Sequence, residues 1–209
     1  MTTVMSDVTA VIGDIVGSRT FPDRGELHRR VASALESAPG AIQPLTLTIG
    51  DEFQGIFQSV RTALRATLVV QLHLLPDVEL RFGVGVGEVL VMADRRPFGQ
   101  DGSAWWSARE AIDEIRQGER SYRTPRTRAT GLRVEGGTDA LSSYLVLRDH
   151  LLAGFDRVDA DIVLGLMQGE TQAAIADRLG LDRGAVSRRV GKHGLSALLW
   201  AEHNLGSAT

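Results

Sequence analysis

Residues 8–18 read Val-Thr-Ala-Val-Ile-Gly-Asp-Ile-Val-Gly-Ser, and residues 49–53 read Ile-Gly-Asp-Glu-Phe. The first stretch is an apolar run rich in β-branched residues that closes on Gly13-Asp14, so residues 8–15 read as a buried strand. In the second, Gly50-Asp51 is a turn dipeptide between an alternating run at 42–49 and a returning run at 53–57, the pattern of a hairpin. Residues 22–37 lie between the two and show helical spacing, with Leu27, Val31, Ala34 and Leu35 on one face until Pro39-Gly40 stops them. Downstream, residues 59–75 read as an amphipathic helix with Val60, Leu64, Leu68 and Leu72 at spacing four. Residues 80–91 read as a strand in which Gly83, Gly85 and Gly87 permit close backbone approach, and residues 101–116 as a further helix. Strand, helix, strand, strand, helix, strand is the βαββαβ, ferredoxin-like order of an α+β fold. A strand at 129–134 and a helix at 139–153 extend it. An arginine-rich loop spans 118–137.

From about residue 156 the pattern changes to short helices close together, at 159–168, 171–179, 183–192 and 196–203. The expected organisation is an α+β domain over residues 1–154 and an all-α domain over 155–209.

The 209 residues are 43% hydrophobic and 23% charged, enough to build a packed core. There is no cysteine, which excludes disulfides, thiol catalysis and sulfur-ligated metals. Residues 1–9 lack a basic start followed by an apolar run, and the most apolar stretch, 64–75, is too short to span a bilayer. No membrane association and a cytoplasmic location are expected. The net charge of −3 confines any nucleic-acid contact to a local patch. Of the basic residues 22 are arginine and one is lysine, Lys192, so no mechanism can use a lysine upstream of the C-terminal region.

Asp14 ends the first strand and Asp51 sits on the hairpin. With the first and third strands adjacent, the two carboxylates approach each other and need a cation between them. Mg²⁺ suits hard oxygen ligands shared with phosphates. The turn Val16-Gly17-Ser18-Arg19 precedes a helix, where exposed N–H groups favour a phosphate. The plainer alternative is that each Gly-Asp serves only its turn. Trp105 and Trp106 point about 100° apart on a helix, so one ring can join the core while the other stacks on a base. Arg109, one turn on, reaches a phosphate or water. Arg120, Arg123, Arg126 and Arg128 close over a polyphosphate, touch DNA, or are solvated.

Residues 14–18 resemble the first-strand metal motif of class III nucleotidyl cyclases, Asp-Ile-x-Gly-Phe-Thr. Residues 49–53 are similar to that family's hairpin Gly-Asp and to the GGDEF motif of diguanylate cyclases. Residues 81–87 resemble the cyclase strand Arg-x-Gly-Ile-x-x-Gly, and residues 101–109 lie where cyclases carry Gly-x-x-Val-Asn-x-Ala-x-Arg. The resemblance covers residues 8–116, and with the C-terminal helices the whole chain resembles the SatD-type family. It implies a palm-type domain that binds a nucleotide through Mg²⁺, with Asp14, Asp51 and the Ile15 carbonyl as ligands. The turn of Val16, Gly17, Ser18 and Arg19 would hold phosphates. Gly50, Glu52, Asp101, Trp106 and Arg109 would complete the nucleotide site. The departures matter too. Leu47 stands where adenine-using cyclases place a lysine, Ile49 replaces the first glycine of GGDEF, and Trp105-Trp106-Ser107 offers no transition-state asparagine. Such losses point to a sensor rather than an enzyme.

Residues 171–190 carry an apolar face of Ala174, Ile175 and Leu179, then Gly180-Leu181-Asp182, then Ala185, Val186 and Val190. This is a helix-turn-helix pattern, with Gly180 free to take positive φ and Asp182 placed to cap the second helix. Residues 183–192 hold four basic side chains and no acid. Ser187 and Arg188 are placed for base edges of double-stranded DNA, Arg189 and Lys192 for its phosphates, and Thr171-Gln172 for a further backbone contact, with Arg183 also among the DNA-binding candidates. The competing reading is a helical hairpin used for dimer packing. A single such unit binds weakly, so a homodimer is expected, and residues 195–205 are apolar enough to cover the domain or to pair with a second copy. The combined expectation is a transcription regulator that senses a nucleotide or cyclic (di)nucleotide. The alternative is an active nucleotidyl cyclase with an attached DNA-binding domain.

Overall fold

Among the described residues, fourteen strands and α-helices organise the chain. In chain order they are β1 (Thr3–Ile15), α1 (Arg24–Glu36), β2 (Ala41–Leu47), β3 (Glu52–Phe57), α2 (Val60–Leu74), β4 (Leu80–Arg95), β5 (Phe98–Asp101), α3 (Ser103–Gly118), β6 (Thr130–Arg133), α4 (Asp139–Leu152), α5 (Arg157–Met167), α6 (Gln172–Leu179), α7 (Arg183–Lys192) and α8 (Leu195–Asn204). The structure is a computed structural model that describes residues 3–95, 98–118, 127, 129–134 and 139–205. Arg120, Arg123, Arg126 and Arg128 lie outside the described residues.

The sheet runs β2-β3-β1-β4-β5, with β6 also paired to β4. β1 is antiparallel to both β3 and β4, and β6 is parallel to β4. The last eight residues of β1 are buried on both faces. Val11 and Ile15 pack with α1, α2 and α4 on one side, while Val8, Ala10 and Ile12 pack with α3 on the other. This is why residues 8–15, apart from Thr9 and Asp14, are apolar on both faces rather than alternating.

The three β4 glycines answer to α3. A Cβ on Gly83 would lie 2.1 Å from the Ala108 carbonyl oxygen, and one on Gly85 would lie 2.3 Å from the Ala108 nitrogen. The helix presents Ala104 and Ala108 to this strip and Ala111 to Gly131 of β6, all fully or nearly fully buried. Small faces small, so the helix backbone rests directly on the strand.

Several boundaries differ from the sequence expectation. β1 begins at Thr3, five residues early, and the extension pairs past an irregularity between Met5 and Val8. β4 runs on to Arg95 and turns into β5. Asp101 therefore ends a strand instead of opening a helix. Gly102, at φ +126, makes the corner into α3.

α2 keeps a polar stripe of Arg61, Arg65 and His73 and buries two apolar faces. Ala63, Leu64, Ala66, Val70 and Leu74 face the sheet core, while Leu68 and Leu72 join a second core with Phe155, Ile162, Val163, Ile175, Val186, Leu195 and Leu198. The C-terminal helices thus share α2 as a wall, and a helix covered on two sides reads apolar nearly all round. Arg157 of α5 reinforces the joint, donating from Nη1 to the carbonyls of His73 (3.0 Å) and Leu75 (3.2 Å) at the end of α2. The fully buried Arg148–Asp149 pair of α4 ties α2 to β6. Arg148 donates to the Leu64 carbonyl at 3.1 Å and to Thr130 Oγ1 at 2.7 Å. Asp149 accepts from the Ala129 and Thr130 amides at 2.8 and 2.6 Å. Buried charges persist only when partnered in this way.

Candidate functional site

Asp14 and Asp51 do arrive at one end of the sheet. The Ile15 N–H donates to the Asp51 carbonyl at 3.2 Å. Across the ladders, however, Asp14 stands opposite Glu52 on β3 and Arg81 on β4. Its carboxylate is nearly buried and fully engaged. Arg81 Nε donates to Oδ1 at 2.9 Å, while Arg116 of α3 donates to Oδ2 from Nη2 at 2.6 Å and from Nε at 3.0 Å. Arg116 Nη2 also reaches Glu52 Oε1 at 3.3 Å, and its Nη1 reaches Asp113 at 3.0 Å.

Arg109 lies seven residues before Arg116, two turns back on the same face of α3. It grips Glu52 with both terminal nitrogens, at 2.9 and 3.1 Å. Three arginines and three carboxylates therefore form one charge-balanced network. The Arg109 hydrogen bonds hold the Glu52 carboxyl below its ordinary range against the opposing effect of burial. Burial works against the Arg116 charge, but the hydrogen bonds and field of Asp14 outweigh it, and its pKa lies above the ordinary arginine value.

These residues do not fit Mg²⁺. Both Asp14 oxygens carry guanidinium hydrogen bonds, and Asp51 Oδ2 accepts from Ser18 Oγ at 2.5 Å. Among the described residues no three of Asp, Glu and His are placed to hold a metal ion. Arginine supplies the cation beside Asp14, while Asp51 is met by the Ser18 hydroxyl.

The turn at Val16, Gly17, Ser18 and Arg19 is also partly committed. The Val16 N–H donates to the Glu79 carbonyl at 2.9 Å. Gly17, at φ 66, opens a single 3-10 turn over Ser18–Thr20 rather than the helix itself. α1 begins later, with Asp23 accepting from the Glu26 amide at its N-terminus. Gly50 is exposed on the hairpin with positive φ. Asp101 Oδ1 accepts from the Gly102 amide and from the Trp106 indole, both at 2.8 Å. Trp105 is core and Trp106 is 61% exposed, the split that helical geometry requires.

In the C-terminal region, Thr171 caps α6 by accepting from the Ala174 amide, and Gln172 beside it is half-buried. Gly180 closes α6 in the left-handed region, and the Leu181 amide returns to the Ala176 carbonyl at 2.9 Å. Asp182 then caps α7 by accepting from the Ala185 amide at 2.9 Å. Val186 is fully buried, whereas Arg183, Ser187, Arg188 and Lys192 are exposed. Arg189 turns the other way. Its Nη1 lies 2.8 Å from both Asp156 and the buried Asp159, and His193 Nδ1 lies 3.0 Å from Asp159. Arg189 ties α7 to the start of α5 and is withdrawn from the outer face.

Arg81 and Arg116 are the site residues that sequence reasoning missed. The signal was available in the seven-residue spacing of Arg109 and Arg116, but their target lies more than fifty residues away. No helix among the described residues is long and apolar enough to cross a membrane.

Comparison with known proteins places the chain by family. Residues 8–204 match the SatD family, and the protein belongs to it. No curated protein matches. Solved structures with a similar fold include the catalytic core of a rhodopsin-guanylyl cyclase with converted specificity in complex with ATPαS, at 16% identity and TM-score 0.40, over 54% of this chain and 74% of that one. A second is the adenylyl cyclase CyaB from P. aeruginosa, at 16% identity and TM-score 0.36, over 53% and 72%. A third is a bacterial light-regulated adenylyl cyclase, at 13% and 0.42, over 71% of this chain and 46% of that one.

Proposed function

We propose that the protein is a homodimeric DNA-binding transcription regulator. In this reading a ferredoxin-like, palm-type unit (residues 1–154) binds a nucleotide or cyclic (di)nucleotide without turning it over, and a helix-turn-helix unit (residues 155–209) binds double-stranded DNA. The observation that carries it is the outer face of α7. Arg183, Ser187, Arg188 and Lys192 stand in water on one side of a helix whose other side is anchored by Val186 and Arg189. Such a face on a chain of net negative charge is the electrostatic footprint of a nucleic-acid contact. Asp182 caps the helix start and touches the basic face only through a 3.7 Å contact with Arg188.

Asp14 is the reason this unit would leave its ligand unchanged. A carboxylate held by two guanidiniums is a poor ligand for a catalytic cation. The arginines that hold it suit phosphate as well as they suit carboxylate. A ligand phosphate would compete with Asp14 and Glu52 for Arg81, Arg109 and Arg116, and so would favour one arrangement of the network.

The test is fluorescence anisotropy on duplex DNA across a salt series. Binding should weaken linearly in log–log form as salt rises, and Arg188→Ala and Lys192→Ala should each weaken it. A protein that binds no duplex at low salt would sink the DNA half. Incubation with each NTP and Mg²⁺ or Mn²⁺, read by mass spectrometry, should yield no cyclic or condensed product.

A further inference from the structure

A cavity of about 400 Å³ opens beside the foot of β1 and β4, between the ends of α2 and α4. That volume is within the range of small-molecule sites. Leu75, Val78, Leu80 and Leu152 give it apolar walls. Gln71, from α2, also lines it and is only 8% exposed. Its Oε1 is buried and has no hydrogen-bond partner among the described residues. Such an orphan is costly to leave unpaired and asks for a donor. Glu79 adds an exposed carboxylate at the rim, and the Asp149 carboxylate in the wall already accepts two amides. Arg81, with its Nε on Asp14, forms part of the same wall. The unfilled polar demand is therefore for hydrogen on the ligand, set in an otherwise apolar slot.

We infer that this cavity binds a small heteroaromatic amine or amide, with a flat apolar body and an N–H donor directed at Gln71 Oε1. Purine and pyrimidine bases belong to this class. Val16 lines the cavity, so the site adjoins the Val16–Arg19 turn, but it lies apart from the DNA-facing helix and its lining includes neither Asp14 nor Asp51. Leu152 and Ala153 line the cavity where α4 ends, three residues before Asp156 caps α5. An occupant thus rests against the joint between the sheet and the C-terminal helices.

The test uses the full chain in chelator-containing buffer with four probes. Two offer an N–H donor, 9-methyladenine and benzamide. Two matched probes lack one, 9-methylpurine and methyl benzoate. A donor probe at a hundredfold excess over its Kd should raise the melting temperature by about 5–10 °C. Its donor-free match should bind roughly tenfold or more weakly. Gln71→Met keeps the volume and removes the orphan oxygen. It should melt no lower than wild type without ligand and should lose the donor-dependent shift. Ala153→Trp, at an exposed position on the rim, should fold normally and block every probe. The inference is overturned if no probe shifts the melting temperature, if donor and donor-free probes act alike, or if both variants respond as wild type does. Asp51→Ala should leave the probe shifts unchanged, which separates this site from the nucleotide reading of the turn.

Discussion

Arginine does opposite work at the two ends of this molecule. At the end of the sheet, Arg81, Arg109 and Arg116 turn inward onto the nearly buried Asp14 and the partly exposed Glu52. On α7, Arg183 and Arg188 stay in solvent. Arg188 has only a 3.7 Å contact with the exposed Asp182. The same side chain is structural where strand pairing supplies a buried anion and available where it does not. Arg189 shows how local the rule is. It is the next residue after Arg188, yet it points about 100° away and meets the buried Asp159.

The contrast is broken most decisively at Asp14. Asp14→Ala takes the shared, nearly buried carboxylate from Arg81 and Arg116 and should cost about 3–5 kcal/mol in denaturant unfolding. Replacing Arg81 and Arg116 with Met in the same chain should recover part of the loss. A stability unchanged by Asp14→Ala would mean that the network does not form. Arg189→Ala comes next, at about 2–3 kcal/mol of stability, because it removes a partner from Asp159 at 1% exposure. Arg188→Ala should do the reverse. It should shift stability by less than about 0.5 kcal/mol while weakening duplex binding by about 1–3 kcal/mol. If Arg188→Ala and Arg189→Ala behaved alike in both assays, the distinction between the two faces would collapse.

The smallest effect is a pH dependence. The Glu52 pKa lies below its ordinary 4.5 when folded, so its contribution is complete above 4.5 and is lost as pH falls through the lower folded value. Because Glu52 is partly exposed, this is worth less than about 1 kcal/mol. Glu52→Gln should flatten that part of the acid limb, as followed by melting temperature between pH 3 and 6.

Much of the fold was legible because it rests on local periodicity. The eight-residue apolar end of β1, the hairpin at Gly50-Asp51 and the Gly180-Leu181-Asp182 turn each carry their signal within a few residues. α2 was misread for the same reason. Leu64, Leu68 and Leu72 at spacing four look like one face, but two cores divide them, and neither core is visible from the helix alone. β5 was missed because a four-residue strand leans on its partner β4 rather than on any pattern of its own.

The candidate site divides along the same line. Sequence alone placed Asp14 and Asp51 at one end of a sheet and a basic, acid-free face on the penultimate helix, since residue type and spacing determine those. Tertiary structure alone decided that Asp14 meets arginine instead of a metal ion, that Arg189 faces inward while Arg188 does not, and that Gln71 is left without a donor beside a cavity. Each of these depends on which groups, distant in sequence, are carried together out of water. The free energy of a buried charge or amide is set by its neighbours in space, and a linear pattern does not record them.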